Sequence, residues 1–178
     1  MSDDIEMWRE WAMPNKWTFK VKPIRKLLED EISEDELWID PLAGKEGHKF
    51  ADVTNDLNPD IETDFTMEAT DFLQLFDDKS VDGIIYDPPY SGEQIKRSYE
   101  NIGHKPDGNY TQSSYWGEHR DEISRVMKIG GKVISFGWWS TGIGKTRGFE
   151  KRKIMLVCHG SAHPDTICVV EEKVNEVE

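Results

Sequence analysis

The sequence predicts an α/β fold: a mostly parallel sheet with helices on both faces, closed by an antiparallel hairpin. Three observations predict it. The runs "VDGIIYD" (81–87) and "KVISFGW" (132–138) are apolar, β-branched and nearly continuous, as in strands buried on both faces, whereas a half-exposed strand alternates. Amphipathic helical segments are interleaved with such runs, which is the order that builds a parallel sheet. The last two runs, "KIMLVCHG" (153–160) and "DTICVVEE" (165–172), are joined only by "SAHP", which places a hairpin at the sheet edge.

Taken in order, residues 1–21 form an N-terminal arm. "KPIRKLLEDEI" (22–32) predicts a helix with Pro23 in its first turn. "ELWID" (36–40) is the first strand and ends at Asp40; "KFADVTND" (49–56) is the second and ends at Asp56. A third strand is expected near 62–66, followed by a short helix or turn, "ATDFLQLF" (69–76), with Asp71 at its start. "VDGIIYD" then ends at Asp87. Residues 91–116 are polar, glycine- and tyrosine-rich and too long for an ordinary connection, so they are expected to form a substrate or lid loop. "GEHRDEISRVMK" (117–128) predicts an amphipathic helix stopped by Gly130 and Gly131 ahead of the strand at 132–138.

The 178 residues, 37% of them hydrophobic, suit one domain with a core of its own. No run approaches the roughly 18 apolar residues of a membrane span, and "MSDDIEMWRE" is acidic where a secretory signal is basic and then apolar. The expectation is a cytoplasmic protein, in the host cell if viral, with no membrane partner. Cys158 and Cys168 sit in β-branched surroundings and are expected as reduced core thiols, with neither a disulfide framework nor a zinc site. No metal site is expected either from His159 and His163, which fall at a strand end and its turn.

A net charge of −13 excludes a protein that coats nucleic acid over its whole surface. Two basic clusters remain: Lys145, Arg147, Lys151, Arg152 and Lys153 in "GKTRGFEKRK", and the pair Lys96 and Arg97. Each is either a local nucleic-acid face or ordinary solvated surface.

Parallel sheets bind ligands at the carboxyl ends of their strands. Here those ends carry Asp40, Asp56 and Asp87, with Asp71 in the turn after the expected third strand. Such a row repels a dinucleotide's phosphates and suits a ligand with a cationic centre and a ribose. "DPLAGKEG" (40–47) lets backbone approach a ligand at Ala43 and Gly44 but lacks the GxGxxG spacing of dinucleotide sites. "GIGKT" (142–146) ends like a P-loop, yet the required glycine is Trp139, so a nucleotide triphosphate is not expected.

Asp87-Pro88-Pro89-Tyr90 is the most informative motif. Four specified residues would fall in a chain of this length by composition in roughly one case in a thousand. A turn that merely ends a strand would account for the prolines. The prolines also hold the Asp87 carboxylate and the Pro88 carbonyl as fixed acceptors with no donors of their own. Two acceptors beside a flat ring match an exocyclic amino group on a planar base.

With this motif the sequence resembles the S-adenosylmethionine-dependent methyltransferases that act on amino groups of nucleobases, particularly the small phage-type DNA adenine N6 enzymes. The resemblance covers about residues 17–171: "DPLAG" is similar to the cofactor loop, "TNDLNPD" to the acidic strand end, "DPPY" to the catalytic signature and "GGKVISFGW" to the following core strand. It implies a Rossmann-like class I methyltransferase fold with a seven-stranded sheet, and S-adenosyl-L-methionine as cofactor. It also implies that Asp40, Pro41, Ala43 and Gly44 line the methionine part, Asp56 binds the ribose hydroxyls and Asp71 with Phe72 meets the adenine. "TFKVKPI" (18–24), with Lys22, is similar to the family's N-terminal cofactor segment. Asp87, Pro88, Pro89 and Tyr90 are then catalytic, with DNA as the partner.

The same site would serve a DNA cytosine-N4 or an RNA adenine-N6 enzyme. A non-catalytic cofactor-fold subunit is the alternative outside enzymes, although it has no need of an intact motif. The chain has no room for a separate target-recognition domain, so specificity would fall to 91–116, to the arm, or to a second subunit or copy. Tyr99, Tyr110, Tyr115 and Trp116 in that stretch either contact bases or pack on one another.

Overall fold

The central strands are buried on both faces, and successive side chains enter the core on opposite sides of the sheet. In the computed structural model, which describes residues 4–105 and 113–176, β4 (Val81–Tyr86) sends Ile84 and Tyr86 to one side of the sheet and Ile85 to the other. β5 (Met127–Gly137) does the same with Val133 against Ile134 and Phe136. Both sides are covered by helix. α1 (Lys22–Glu31) lays Ile24, Leu27 and Leu28 on the Ile85 side. α2 (Ala69–Leu73) and α4 (Ser113–Val126) pack Phe72, Leu73, Ile123 and Val126 on the Ile84 side. The near-continuous apolar runs are the sequence trace of this double burial.

The remaining strands are β1 (Glu6–Trp11), β2 (Trp38–Asp40), β3 (Val53–Thr54), β6 (Phe149–Cys158) and β7 (Thr166–Lys173). They complete a seven-stranded sheet in the order β1-β6-β7-β5-β4-β2-β3. Neighbours are parallel except at β7, which is antiparallel to both β5 and β6.

Several elements depart from the sequence expectation. The third strand near 62–66 is a single bridge between Asn55 and Phe65, and β3 is much shorter than 49–56 because Gly47–Lys49 is a 3-10 turn. The seventh strand comes from the N-terminal arm instead. β1 pairs with β6 from Glu6↔Lys153 to Trp11↔Cys158, so the hairpin is covered and does not form the sheet edge. β1 escapes sequence reading because it is an edge strand exposed at every position but Trp8. His159 pins the arm down: its Nδ1 bonds to the Ala12 carbonyl at 2.8 Å and its Nε2 to Thr166 Oγ1 at 2.9 Å.

Residues 91–116 are not one loop. They contain α3 (Gly92–Asn101) and the first turn of α4, while 106–112, with Tyr110, lie outside the described residues. Gly130 and Gly131 do not stop a helix, because β5 already begins at Met127 and the β4–β5 register shifts between Val81 and Gly83.

Two contacts fix the layers. Glu31, buried at the end of α1, pairs with Lys132 of β5 at 3.2 Å and with Lys153 of β6. The two ammonium groups hold its carboxyl below the usual range against the opposing cost of burial. Gly83 lies opposite Trp38, whose ring crosses it so closely that a Cβ would stand 2.1 Å from the indole. Gly83→Ala is therefore expected to cost roughly 1–3 kcal/mol through overpacking. Urea unfolding should show a lower midpoint at unchanged slope; an unchanged midpoint would show that Trp38 can move aside.

Candidate active site

The carboxyl ends of β2, β3 and β4 deliver Asp40, Asp56 and Asp87 to one end of the sheet. The loops between them are tied by a residue the sequence reading did not single out. Asn55 is wholly buried; its Nδ2 donates to the carbonyls of Pro41 and Met67, both at 2.9 Å, and its Oδ1 accepts from Met67 N at 3.1 Å. One amide thus holds the loop after β2 to the segment before α2. The signal available was an amide at a buried strand end, which must find partners there.

That loop is shaped by two glycines. Gly44 adopts φ +55° and donates its N–H to Asp56 Oδ2 at 2.9 Å, while Asn58 N donates to Asp56 Oδ1 at 2.8 Å. At Gly47 a Cβ would lie 2.5 Å from the Ala43 Cβ and 2.9 Å from Asp40 Oδ2. The resulting close turn opens onto a cavity of about 690 Å³, within the range of small-molecule sites.

Of the expected site residues, Pro41, Ala43, Gly44, Asp56, Asp87, Pro88, Pro89 and Tyr90 line this cavity together. Four do not. Asp40 has no exposed surface and stands behind the loop. Asp71 is exposed on α2, and Phe72 is core, in ring contact with Phe65 and Phe76. The start of α2 faces the cavity, so Met67, Glu68 and Ala69 line it and the next residues turn away. Lys22 is exposed in a separate groove between α1 and β1, because the 3-10 turn at Thr18–Lys20 puts Thr18 and Phe19 on the cavity wall instead.

Lys16, Lys45 and Arg97 line the same cavity, yet no cation among the described residues lowers any of the three strand-end carboxyls. Burial pushes Asp40 well up, and Asp87 and Asp56 push it further; its Oδ1 accepts from Leu42 N at 3.0 Å, but Oδ2 has no partner among the described residues. Burial also raises Asp56 against the two backbone donors. Asp87 is raised by burial, with the Thr18 and Tyr90 hydroxyls pulling the other way.

The Asp87–Tyr90 turn is braced on every side. The Tyr90 hydroxyl donates to Asp87 Oδ1 at 2.7 Å and its N–H to Gln94 Oε1 at 2.6 Å. Ser91 caps α3, accepting from Gln94 N, so "SGEQ" is a capping-box pattern that marks the helix hidden in the expected loop. Trp116 Nε1 donates to the Pro89 carbonyl at 2.9 Å, and the Tyr90 ring meets Trp138 edge to face at 5.8 Å. Among the described residues no protein donor takes the Pro88 carbonyl.

Pro88, Pro89 and Tyr90 also line a second cavity of about 500 Å³, walled by Trp116, Phe136, Trp139 and Arg120. The motif stands between the two. The aromatic residues expected for base contact are otherwise packed: the Tyr99 hydroxyl donates to Glu68, and Tyr115 lies against Trp116 and His119. The basic segments are mostly spent as well, Arg147 on Asp121, Arg152 on Glu150 and Glu172, Lys153 on Glu31, Lys96 on Glu100 and Arg97 on Glu93. Lys145 and Lys151 alone in that set carry no ion pair among the described residues.

No protein-family model matches the chain, and no curated protein matches it in sequence. Solved structures do match in fold. TrmN from Thermus thermophilus superimposes with a TM-score of 0.56 at 17% identity over 86% of this chain and 49% of its own, so the chain spans about half of TrmN. A 1,6-didemethyltoxoflavin-N1-methyltransferase from Burkholderia thailandensis, solved with S-adenosylhomocysteine, gives 0.56 at 11% identity over 86% and 78%. The PH0226 protein of Pyrococcus horikoshii OT3 gives 0.57 at 14% over 85% and 88%. The fold is thus the Rossmann-like class I methyltransferase fold expected from the sequence, a mostly parallel seven-stranded sheet with one antiparallel hairpin.

The raised Asp40 carboxyl has a measurable consequence. A folded state that binds this proton more tightly than the unfolded chain is destabilised as pH rises above the unfolded carboxylate range near 4, and the cost levels off beyond the folded pKa. Asp40→Asn keeps the acceptor for Leu42 and removes the titration. Its stability relative to wild type, from denaturant midpoints at stepped pH, is expected to increase across that window; a constant difference would place the Asp40 proton off in the fold.

Proposed function

We propose that this protein is an S-adenosylmethionine-dependent methyltransferase that methylates the exocyclic N6 amino group of adenine in DNA. The observation that carries the reading is the braced Asp87-Pro88-Pro89-Tyr90 turn shared by two cavities, with the Pro88 carbonyl unclaimed. The first cavity suits a cationic nucleoside. Among the described residues no cation pairs with half-buried Asp56 and Asp87 on its wall or with Asp40 buried behind it, Asp40 Oδ2 has no partner, and Gly44 and Gly47 leave room for close backbone approach.

When bound, S-adenosylmethionine supplies a methyl group on a positively charged sulfonium. Pro41, Ala43 and Gly44 would hold its methionine end and Asp56 its ribose hydroxyls, with Met67, Glu68 and Ala69 against its adenine. Asp40 stands behind the loop, where it accepts from Leu42 N and makes no contact with the cavity.

At the turn between the two cavities, Asp87, which lines the first, and the Pro88 carbonyl, which belongs to the residue lining both, accept the two amino N–H groups of a target ring held in the second cavity, which draws the nitrogen lone pair out of conjugation with the ring. Tyr90, anchored through Asp87 and Gln94, offers a stacking surface worth on the order of 1–3 kcal/mol per base. Positioning the nitrogen against the methyl carbon is the main catalytic device, assisted by fixed acceptors that need no reorganisation. A base inside a duplex must leave the stack to reach this depth. Methylation at pyrimidine C5 would need a nucleophilic cysteine. Cys168 is buried in β7 with its thiol pushed up by burial, and Cys158 lies at the end of β6. In this reading the described sheet is one catalytic unit, and a second copy or partner subunit supplies further DNA contact.

Incubation with methyl-labelled cofactor and separate DNA and RNA pools, followed by digestion to nucleosides, should yield N6-methyladenine from DNA. N4-methylcytosine alone, or label only in RNA, would refute the assignment. Asp87→Ala should reduce transfer by at least about a hundredfold, the usual cost of losing one electrostatic group at a reacting centre, while equilibrium dialysis finds cofactor affinity within about twofold. Activity near wild type would remove Asp87 from the mechanism.

A further inference from the structure

We infer that Arg120 reads the substrate ring in the second cavity, donating a hydrogen bond to a ring nitrogen on the edge of the base. The inference rests on the proposed assignment of that cavity to the methyl acceptor. Arg120 lines it from α4, one turn beyond Trp116, whose indole is locked on the Pro89 carbonyl. Its Nε is buried and without a hydrogen-bond partner among the described residues. Arg125, Arg147 and Arg152, by contrast, are all committed to carboxylates.

A guanidinium stays protonated and cannot accept. Its Nε is closed off even from an empty cavity, so a ligand there meets the terminal N–H groups of this half-buried side chain, which no hydrogen bond or ion pair among the described residues takes. Glu171 acts on Arg120 only through space, since its two oxygens accept from Ile143 N at 2.5 Å and Gly144 N at 3.1 Å. The Tyr86 hydroxyl is engaged with His119 Nδ1 at 3.1 Å. His119 is held neutral at pH 7 because burial and the Arg120 charge pull its pKa down to about 4.

The acceptor must therefore come with the ligand, and the walls specify its class. Tyr90, Trp116, Phe136 and Trp139 favour a flat ring. A phosphate would shed its hydration against these apolar faces with the Glu171 carboxylate close by, whereas a ring nitrogen carries no such cost. Adenine presents such nitrogens, N1 and N7, on either side of its amino group.

Calorimetric titration in the presence of S-adenosylhomocysteine tests this with adenosine, adenosine monophosphate, 1-deazaadenosine and 7-deazaadenosine. Arg120→Met is expected to weaken adenosine by at least about tenfold, the effect of a hydrogen bond to a charged group, with S-adenosylhomocysteine affinity unchanged. One deaza analogue should bind wild type as poorly as adenosine binds the variant, and should lose nothing further in the variant. Arg120→Lys, which keeps the charge without the fork, should show the same loss and serves if the methionine variant does not fold. Equal adenosine binding by wild type and variant, full affinity for both deaza analogues, no adenosine binding at all, or a loss confined to adenosine monophosphate would each overturn the inference. Arg120-dependent adenosine binding without N6-methyladenine in the DNA digest would uphold it and reject the DNA assignment alone.

Discussion

Three carboxylates at the ends of parallel strands, Asp40 buried and Asp56 and Asp87 half-buried, with no cation among the described residues lowering any of them, are the constraint on which this molecule turns. The arrangement is unfavourable on its own, since each acid is raised by burial and Asp40 further by the other two. It persists because the sheet over-determines it. β2 and β4 are neighbours in register, Trp38 against Gly83 and Ile39 against Ile84, so the residues that follow them must emerge side by side. A protein that accepts this cost at one end of its core has preorganised a set of carboxyl groups there, available to a ligand without further rearrangement.

Much of this was legible in the sequence, for physical reasons that differ from element to element. "VDGIIYD" declared itself because both faces of β4 are buried, and Asp87 because a strand that ends in two prolines cannot continue. β1 did not, since an edge strand that leaves Glu6, Met7, Arg9 and Trp11 exposed has no burial pattern to read; only its pairing with β6 makes it a strand. Asp71 and Phe72 were misplaced by a fraction of a turn. The acidic strand ends set the register for Asp40, Asp56 and Asp87, but α2 begins after a bridge and not a strand, so counting could not say which side of its first turn meets the cavity. Asn55 offered only the weak signal of an amide at a buried strand end, and Arg120 offered none, because what distinguishes them is the surroundings that distant segments supply.

The Asp87–Tyr90 turn shows how rigidity can be obtained without occupying the chemistry. Tyr90 takes Asp87 Oδ1, Gln94 takes the Tyr90 N–H and Trp116 takes the Pro89 carbonyl. Each bond comes from a different part of the surroundings: the turn itself, the first turn of α3, and α4. The Pro88 carbonyl is flanked by these braced groups and takes no donor among the described residues. Proline at both positions removes the N–H groups that would otherwise need partners in the same small space.

The distribution of cations carries the argument from chemistry to recognition. With a net charge of −13, and with Arg97, Arg147, Arg152 and Lys153 already paired, the surface offers little of the phosphate-tracking charge on which sequence-independent nucleic-acid affinity depends. Discrimination must then arise inside the cavity, from stacking and from donors whose satisfaction depends on the ligand. Such a donor is stringent because it is costly: an analogue without the matching acceptor covers the donor without pairing it and is rejected by more than the loss of one contact. Arg120, alone among the half-buried arginines in having no carboxylate partner among the described residues, is placed to impose that penalty.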